Sequence, residues 1–198
     1  MSDESRALWD REAQTFDDAA DHGLRDEGVR RAWRGLLVPL LGAPGRRVAD
    51  LGCGTGSLSV LLAEEGGHHV SGVDLSPEMV RRAREKASGT IPLPVFIVGD
   101  ASDPPLAPGS FDAVLSRHVL WAMPDPAEAL EKWLGLLTPT GVLVLVEGRW
   151  STGAGLTAKE CVELVGRRRE EVELRPLDDP SYWGGPITDE RYLIFSAR

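Results

Sequence analysis

Cysteine, lysine and long apolar runs are all scarce in this chain of 198 residues. The two cysteines, Cys53 and Cys161, are too few and too far apart for a disulfide framework or a zinc cluster, so both read as free thiols and no metal site is expected. No segment stays apolar over the length that a membrane span requires, and the opening MSDESRALWDREAQTF scatters charges where a secretory leader carries apolar residues. The expectation is a cytoplasmic protein with no membrane partner. Basic residues are outnumbered, 22 Lys and Arg against 31 Asp and Glu, for a formal net charge of -9. That balance gives no general electrostatic footprint for nucleic acid, which favours a small-molecule partner.

What is present is an ordinary globular composition, 42% hydrophobic and 27% charged, in a chain long enough for one domain with its own core. Apolar spacing predicts a helix over 27–41, stopped by Gly42-Ala43-Pro44-Gly45. Short apolar runs at 48–51, 69–73, 95–98, 111–116 and 141–146 then read as strands, alternating with helices that open near Ser57, at Ser76-Pro77 and at Asp125-Pro126. After a weaker helix over 157–169 come two strand-like runs, 172–177 and 192–197, with no helix between them. The fold class is therefore α/β: a doubly wound, mostly parallel seven-stranded Rossmann-like sheet with an antiparallel last strand. Residues 1–45 are expected to form an N-terminal helical segment that acts as a lid over the site, and 46–198 the core.

The stretch VADLGCGTG places Gly52, Gly54 and Gly56 directly after the first strand, where an open α/β sheet binds its ligand. The loop reads G-x-G-x-G, and Ser57 stands where a dinucleotide fingerprint would have its third glycine. Asp50, two residues upstream, would repel a pyrophosphate and attract an ammonium or sulfonium group. Asp74 ends the second strand, where an acid can accept from ribose hydroxyls, and Asp100 ends the third, within reach of an adenine amine. S-adenosylmethionine has this distribution of charge and hydroxyls, and no phosphate.

The pieces VADLGCGTG, VSGVDLSPEMV, VGDASDPPLAPGSFDAVLSRHVLW and LLTPTGVLVLVEG, in that order, make the chain resemble the class I S-adenosylmethionine-dependent methyltransferases from Arg46 to Arg198. The resemblance implies that Asp50 and Gly52, with Cys53, Gly54 and Gly56, hold the methionine end. Asp74, Leu75 and Met79 would hold ribose and adenine, and Asp100 with the Ala101 backbone the base. Arg117 would border the cofactor, and Phe16 would reach it from the N-terminal segment. TPTG replaces the Pro-Gly-Gly turn of many relatives, which bears on the turn before strand five.

A neutral imidazole near pH 7 can take a proton from an acceptor, so His118 is the leading catalytic candidate, with His22 and Glu147 as rivals. Trp121, Trp150 and Trp183 are candidates for walling a flat acceptor pocket. The expected activity is methyl transfer to a small-molecule acceptor, on oxygen or nitrogen, in secondary metabolism. The alternatives are an enzyme that uses the same cofactor for cyclisation, a repurposed binding domain, and a nucleotide-dependent oxidoreductase that Asp50 and Ser57 disfavour. The sequence leaves the oligomeric state open.

Overall fold

The computed structural model describes residues 3–197, so Arg198, the end of the expected core, lies outside the described residues. Seven strands form one sheet in the order β3-β2-β1-β4-β5-β7-β6. They are β1 (Arg47–Leu51), β2 (His69–Asp74), β3 (Val95–Val98), β4 (Phe111–Arg117), β5 (Leu137–Arg149), β6 (Glu173–Pro176) and β7 (Glu190–Ser196). Neighbours among β1 to β5 pair in parallel, and β7 runs antiparallel to both β5 and β6. The chain reverses its order after β3, returning to place β4 beside β1. The carboxyl ends of β1 and β4 therefore flank the switch point, where such sheets open a crevice.

The helices are α1 (Asp3–Glu12), α2 (Ala20–Gly23), α3 (Glu27–Leu41), α4 (Ser57–Glu64), α5 (Pro77–Lys86), α6 (Pro126–Gly135) and α7 (Ala158–Gly166). Their starts follow local chemistry. Ser76 caps α5 by accepting from the Met79 amide, Asp125 caps α6, and Thr157 with Glu160 forms a capping box on α7.

The period-two alternation of the strands splits the core into two layers. Val142, Val144 and Val146 of β5 face one layer with Val48, Leu115, Trp33 and Leu61, beneath α3 and α4. Leu143 and Leu145 face the other with Leu51, Val114, Leu130 and Trp133, beneath α6 and α7. Each fully buried side chain of this size contributes about 1.5–3 kcal/mol on removal from water. Trp33 and Trp133 also satisfy their indole N–H groups, on the carbonyls of Tyr182 (2.8 Å) and Ala101 (2.7 Å).

Two expectations shift. β5 begins at Leu137, four residues before the expected Gly141, because Leu137 pairs with Phe111 and a bulge between Phe111 and Ala113 absorbs the TPTG stretch. The expected N-terminal segment divides in function. α3 belongs to the core through Val29, Trp33, Leu36, Leu37 and Leu41, and only residues before it reach the crevice.

Candidate active site

β1 delivers Asp50 and the glycine loop to the crevice. Gly52, Gly54 and Gly56 all have positive φ (72°, 55° and 76°), which lets the loop fold back on itself at no steric cost. At Gly52 a Cβ would lie 2.3 Å from Val119 Cγ2, so no other residue fits there. The amides of Gly52 and Cys53 donate to the Val73 carbonyl (2.8 and 3.0 Å), and Gly54 N donates to Asp74 Oδ2 (2.8 Å). Asp74 Oδ1 accepts from Ser76 N (2.9 Å), and the Leu75 amide adds a weaker contact, so this carboxylate ties the loop to the end of β2.

Beyond this loop lies a cavity of about 620 Å³, the size of a small-ligand site. Asp50, Gly52, Cys53, Gly54, Asp74, Leu75, Met79 and Ala101 line one end. Phe16 and His22 close it from the N-terminal side together with Arg117, which lies beside Asp50, and His118, Trp121 and Trp150 form the far wall. Most of the residues singled out in the sequence are thus brought to one cavity. Four are not among its walls: Gly56, Asp100, Glu147 and Trp183. Gly56 has a packing reason, since a Cβ there would meet Phe96 and Ala83 within 2.9 Å. Asp100 turns to the Ser102 amide (2.8 Å), leaving Ala101 as the lining residue after β3. Trp183 stands behind His118, stacked on it at 5.8 Å with its indole N–H on the Leu177 carbonyl. Glu147 is fully buried behind the wall and accepts from the Val119 and Leu120 amides.

The electrostatics follow from burial. Asp50 is 3% exposed, and burial lifts its carboxyl to about 6, partly offset by a hydrogen bond from Ser59 and by the charge of Arg117. Arg117 is half-buried, donates to the Asp21 carbonyl and lies near enough to Asp50 for their charges to favour each other, so an acid and a cation meet at one end of the cavity. Burial and the charges of Arg117, Arg191 and His22 hold His118 well below the usual histidine range, so it is neutral at pH 7. Its Nε2 is buried with no hydrogen-bond partner among the described residues. Its backbone sits at φ 60°, a left-handed conformation that non-glycine residues adopt at a cost of about 1–3 kcal/mol, and such strain gathers at functional sites. His22 is the less available imidazole, stacked on Phe16 at 4.2 Å with Nε2 3.6 Å from Asp21. Burial lifts Glu147 to about 8, so it holds its own proton at neutral pH, which argues against its expected role as a base.

The ring wall is continuous. Trp121 and Trp150 lie 5.3 Å apart, Trp150 meets His118 edge-on at 5.1 Å, and Arg191 sits over Trp150 at 4.8 Å. Trp9 lines the cavity as well, from the N-terminal segment that the resemblance implies folds over the cofactor; Thr15, Thr55 and Met123 also line it, and sequence reasoning missed them. α1, which carries Trp9, has no buried residue and hence no apolar stripe. Polar ties hold this segment: Asp10 accepts from Ser76 Oγ, and Asp17 accepts from Thr55 Oγ1 and from Lys86 Nζ (2.9 Å).

A family profile described as a methyltransferase domain matches residues 49–145. The demethylmenaquinone methyltransferase of Renibacterium salmoninarum is 36% identical over 146 residues, covering 73% of this chain and 59% of that protein. The chain thus spans less than two thirds of the length of the curated relatives it matches first. Two solved structures share the fold with a TM-score of 0.69 and 19% identity. One is the geranyl diphosphate C-methyltransferase from Streptomyces coelicolor A3(2), with 85% of this chain and 77% of that chain covered. The other is the cyclase SpnF, with 82% and 80% covered. With the glycine loop and the strand order β3-β2-β1-β4-β5-β7-β6, these matches make the chain a member of the class I S-adenosylmethionine-dependent methyltransferases.

Proposed function

We propose that the chain transfers the methyl group of S-adenosylmethionine to a small, flat, largely apolar acceptor carrying an acidic hydroxyl or an equivalent carbon nucleophile. The observation that carries this reading is a single cavity joining two chemistries: the Asp74-pinned glycine loop at one end and the Trp121, Trp150 and His118 wall at the other. The residues at the loop end suit the cofactor. Asp50 and Arg117 offer opposite charges to a zwitterionic amino-acid end, the carboxylate of Asp74 where it lines the cavity suits ribose hydroxyls, and Leu75 and Met79 suit a base. The sulfonium supplies an activated methyl group, and the protein's task is to align the acceptor and keep water out.

The acceptor end restricts what can enter. Among the lining residues Glu12, Asp50 and Asp74 are acids, and the one lining arginine, Arg117, lies beside Asp50 at the cofactor end. A phosphorylated acceptor against the tryptophans would meet no lining cation. His118 lines the cavity, and its Nε2 has no hydrogen-bond partner among the described residues; as the Nδ1–H tautomer, with its ring turned so that Nε2 faces the cavity, it orients a hydroxyl and takes its proton as methyl transfer proceeds. An imidazole held so far below its usual range is a weak base, and it matches a phenol or hydroquinone better than an aliphatic alcohol.

The test is transfer of labelled methyl from S-adenosylmethionine to a panel of hydroquinones, catechols and phenols, with geranyl diphosphate and nucleic acid as contrasts. Turnover is expected in the first group alone. His118→Asn is expected to lower turnover by about 10²-fold or more while leaving S-adenosylhomocysteine bound. Label incorporated only into nucleic acid, or a His118→Asn enzyme as fast as the parent, would contradict the proposal.

A further inference from the structure

The wall segment after β4 carries the hardest backbone in the site, and its support comes from another strand. His118 stands at φ 60°, and the Val119 methyls occupy the space that a Cβ on Gly52 would need. A single 3-10 turn, Leu120–Ala122, follows, and Val119 at its N-cap provides no side-chain cap. Two amides at such a start need acceptors, a need that a local Ser, Asp or Asn usually meets. Here both donate to Glu147 Oε1, Val119 N at 3.1 Å and Leu120 N at 2.8 Å, from near the end of β5.

We infer that Glu147 is a positioning residue: by capping the 3-10 turn from the neighbouring strand it fixes His118 against the acceptor and Val119 against the glycine loop. The functional half of this inference rests on the reading of the cavity proposed above, and the capping half does not. The group's surroundings suit a neutral acid. Both backbone bonds fall on Oε1, while Oε2 has no partner among the described residues and is free to carry the proton. Across the sheet Glu147 is paired with Tyr192, and Cys161 of α7 lies close by, two groups that are uncharged at neutral pH. The working part is one carbonyl-type oxygen, which a glutamine amide also provides, whereas methionine of similar reach does not.

The experiment compares the full chain with Glu147→Gln and Glu147→Met, using hydrogen exchange resolved at residues 118–122 and calorimetric titration with S-adenosylhomocysteine. In the parent, the Val119 and Leu120 amides should exchange slowly. Glu147→Gln should keep that protection and bind within about twofold of the parent. Glu147→Met should lose it and bind about tenfold more weakly, the loss expected for one or two buried hydrogen bonds. Parent amides that exchange like open loop, or a folded Glu147→Met that matches the parent in both readouts, would overturn the inference. If Glu147→Met does not fold, slow parent amides and retained protection in Glu147→Gln still decide for the cap, and their absence against it. A parent that binds no S-adenosylhomocysteine would sink the cofactor reading while the exchange data still judge the cap.

Discussion

Asp50 shows how one side chain sets both the choice of ligand and its pH dependence. Burial lifts its carboxyl to about 6, so the empty site holds a proton in mildly acidic solution. A ligand ammonium placed beside it favours the carboxylate, so binding displaces that proton. The sign follows by linkage. S-adenosylhomocysteine affinity should rise as pH goes from about 5 to about 6.5, by at most about tenfold per unit, and level off above. Calorimetry in buffers of different ionisation heat reads both the affinity and the proton release. A flat profile would remove Asp50 from the ligand's amino-acid end. The sequence made this residue legible because a carboxylate two positions before a glycine loop is chemically out of place for a phosphate site. It could not make Glu147 legible as a cap, because the amides it holds lie 27 and 28 positions away and are brought to it only by the pairing of β4 with β5.

Among the elements, the N-terminal segment differs most from the rest in what holds it. α1 has no buried residue, and in α2, a single turn, only Ala20 packs against the core, so apolar burial anchors this pair weakly. Their attachment runs through Asp10 to the cap of α5 and through Asp17 to Lys86 and Thr55. Lys86 Nζ also reaches Ser57 Oγ at 2.6 Å, so one ammonium joins the cover to both the glycine loop and α4. Half-buried pairs of this kind contribute about 1 kcal/mol. Lys86→Met is therefore expected to speed S-adenosylhomocysteine release about fivefold, as stopped-flow displacement would show, and to leave the thermal midpoint close to that of the parent. Unaltered release would mean that residues 9–22 do not move when ligand leaves. The strands and core helices were readable because their apolar periodicity records burial. The cover is expected only as a lid implied by resemblance, since polar ties leave no period from which its helices could be placed, and the start of β5 was hidden because a bulge took up residues that resemble a turn.

At the level of the whole molecule, the sheet order, the two-layer core and the acidic surface agree on one use of the crevice. The switch between β1 and β4 opens it, the glycine loop shapes one end, and residues after β4 and β5 shape the other. Fold class and cofactor end could be read from the sequence since they depend on short motifs at strand ends. Residue type and position after β4 and β5 make His118, Trp121 and Trp150 candidates, but their convergence, and the placement of Trp183 behind His118, depends on the pairing of those strands, and no local spacing encodes that. Among the described residues, no helix is long and apolar enough to cross a membrane.

The central claim is that this crevice takes S-adenosylmethionine and not a dinucleotide, and calorimetric titration of the parent and Asp74→Ala with S-adenosylhomocysteine and NAD tests it most directly. The parent should bind S-adenosylhomocysteine and ignore NAD, and the substitution should weaken binding by about 100-fold, through loss of charge-assisted hydrogen bonds to ribose and of the Gly54 tie. Binding of NAD, or S-adenosylhomocysteine binding indifferent to Asp74, would contradict the account.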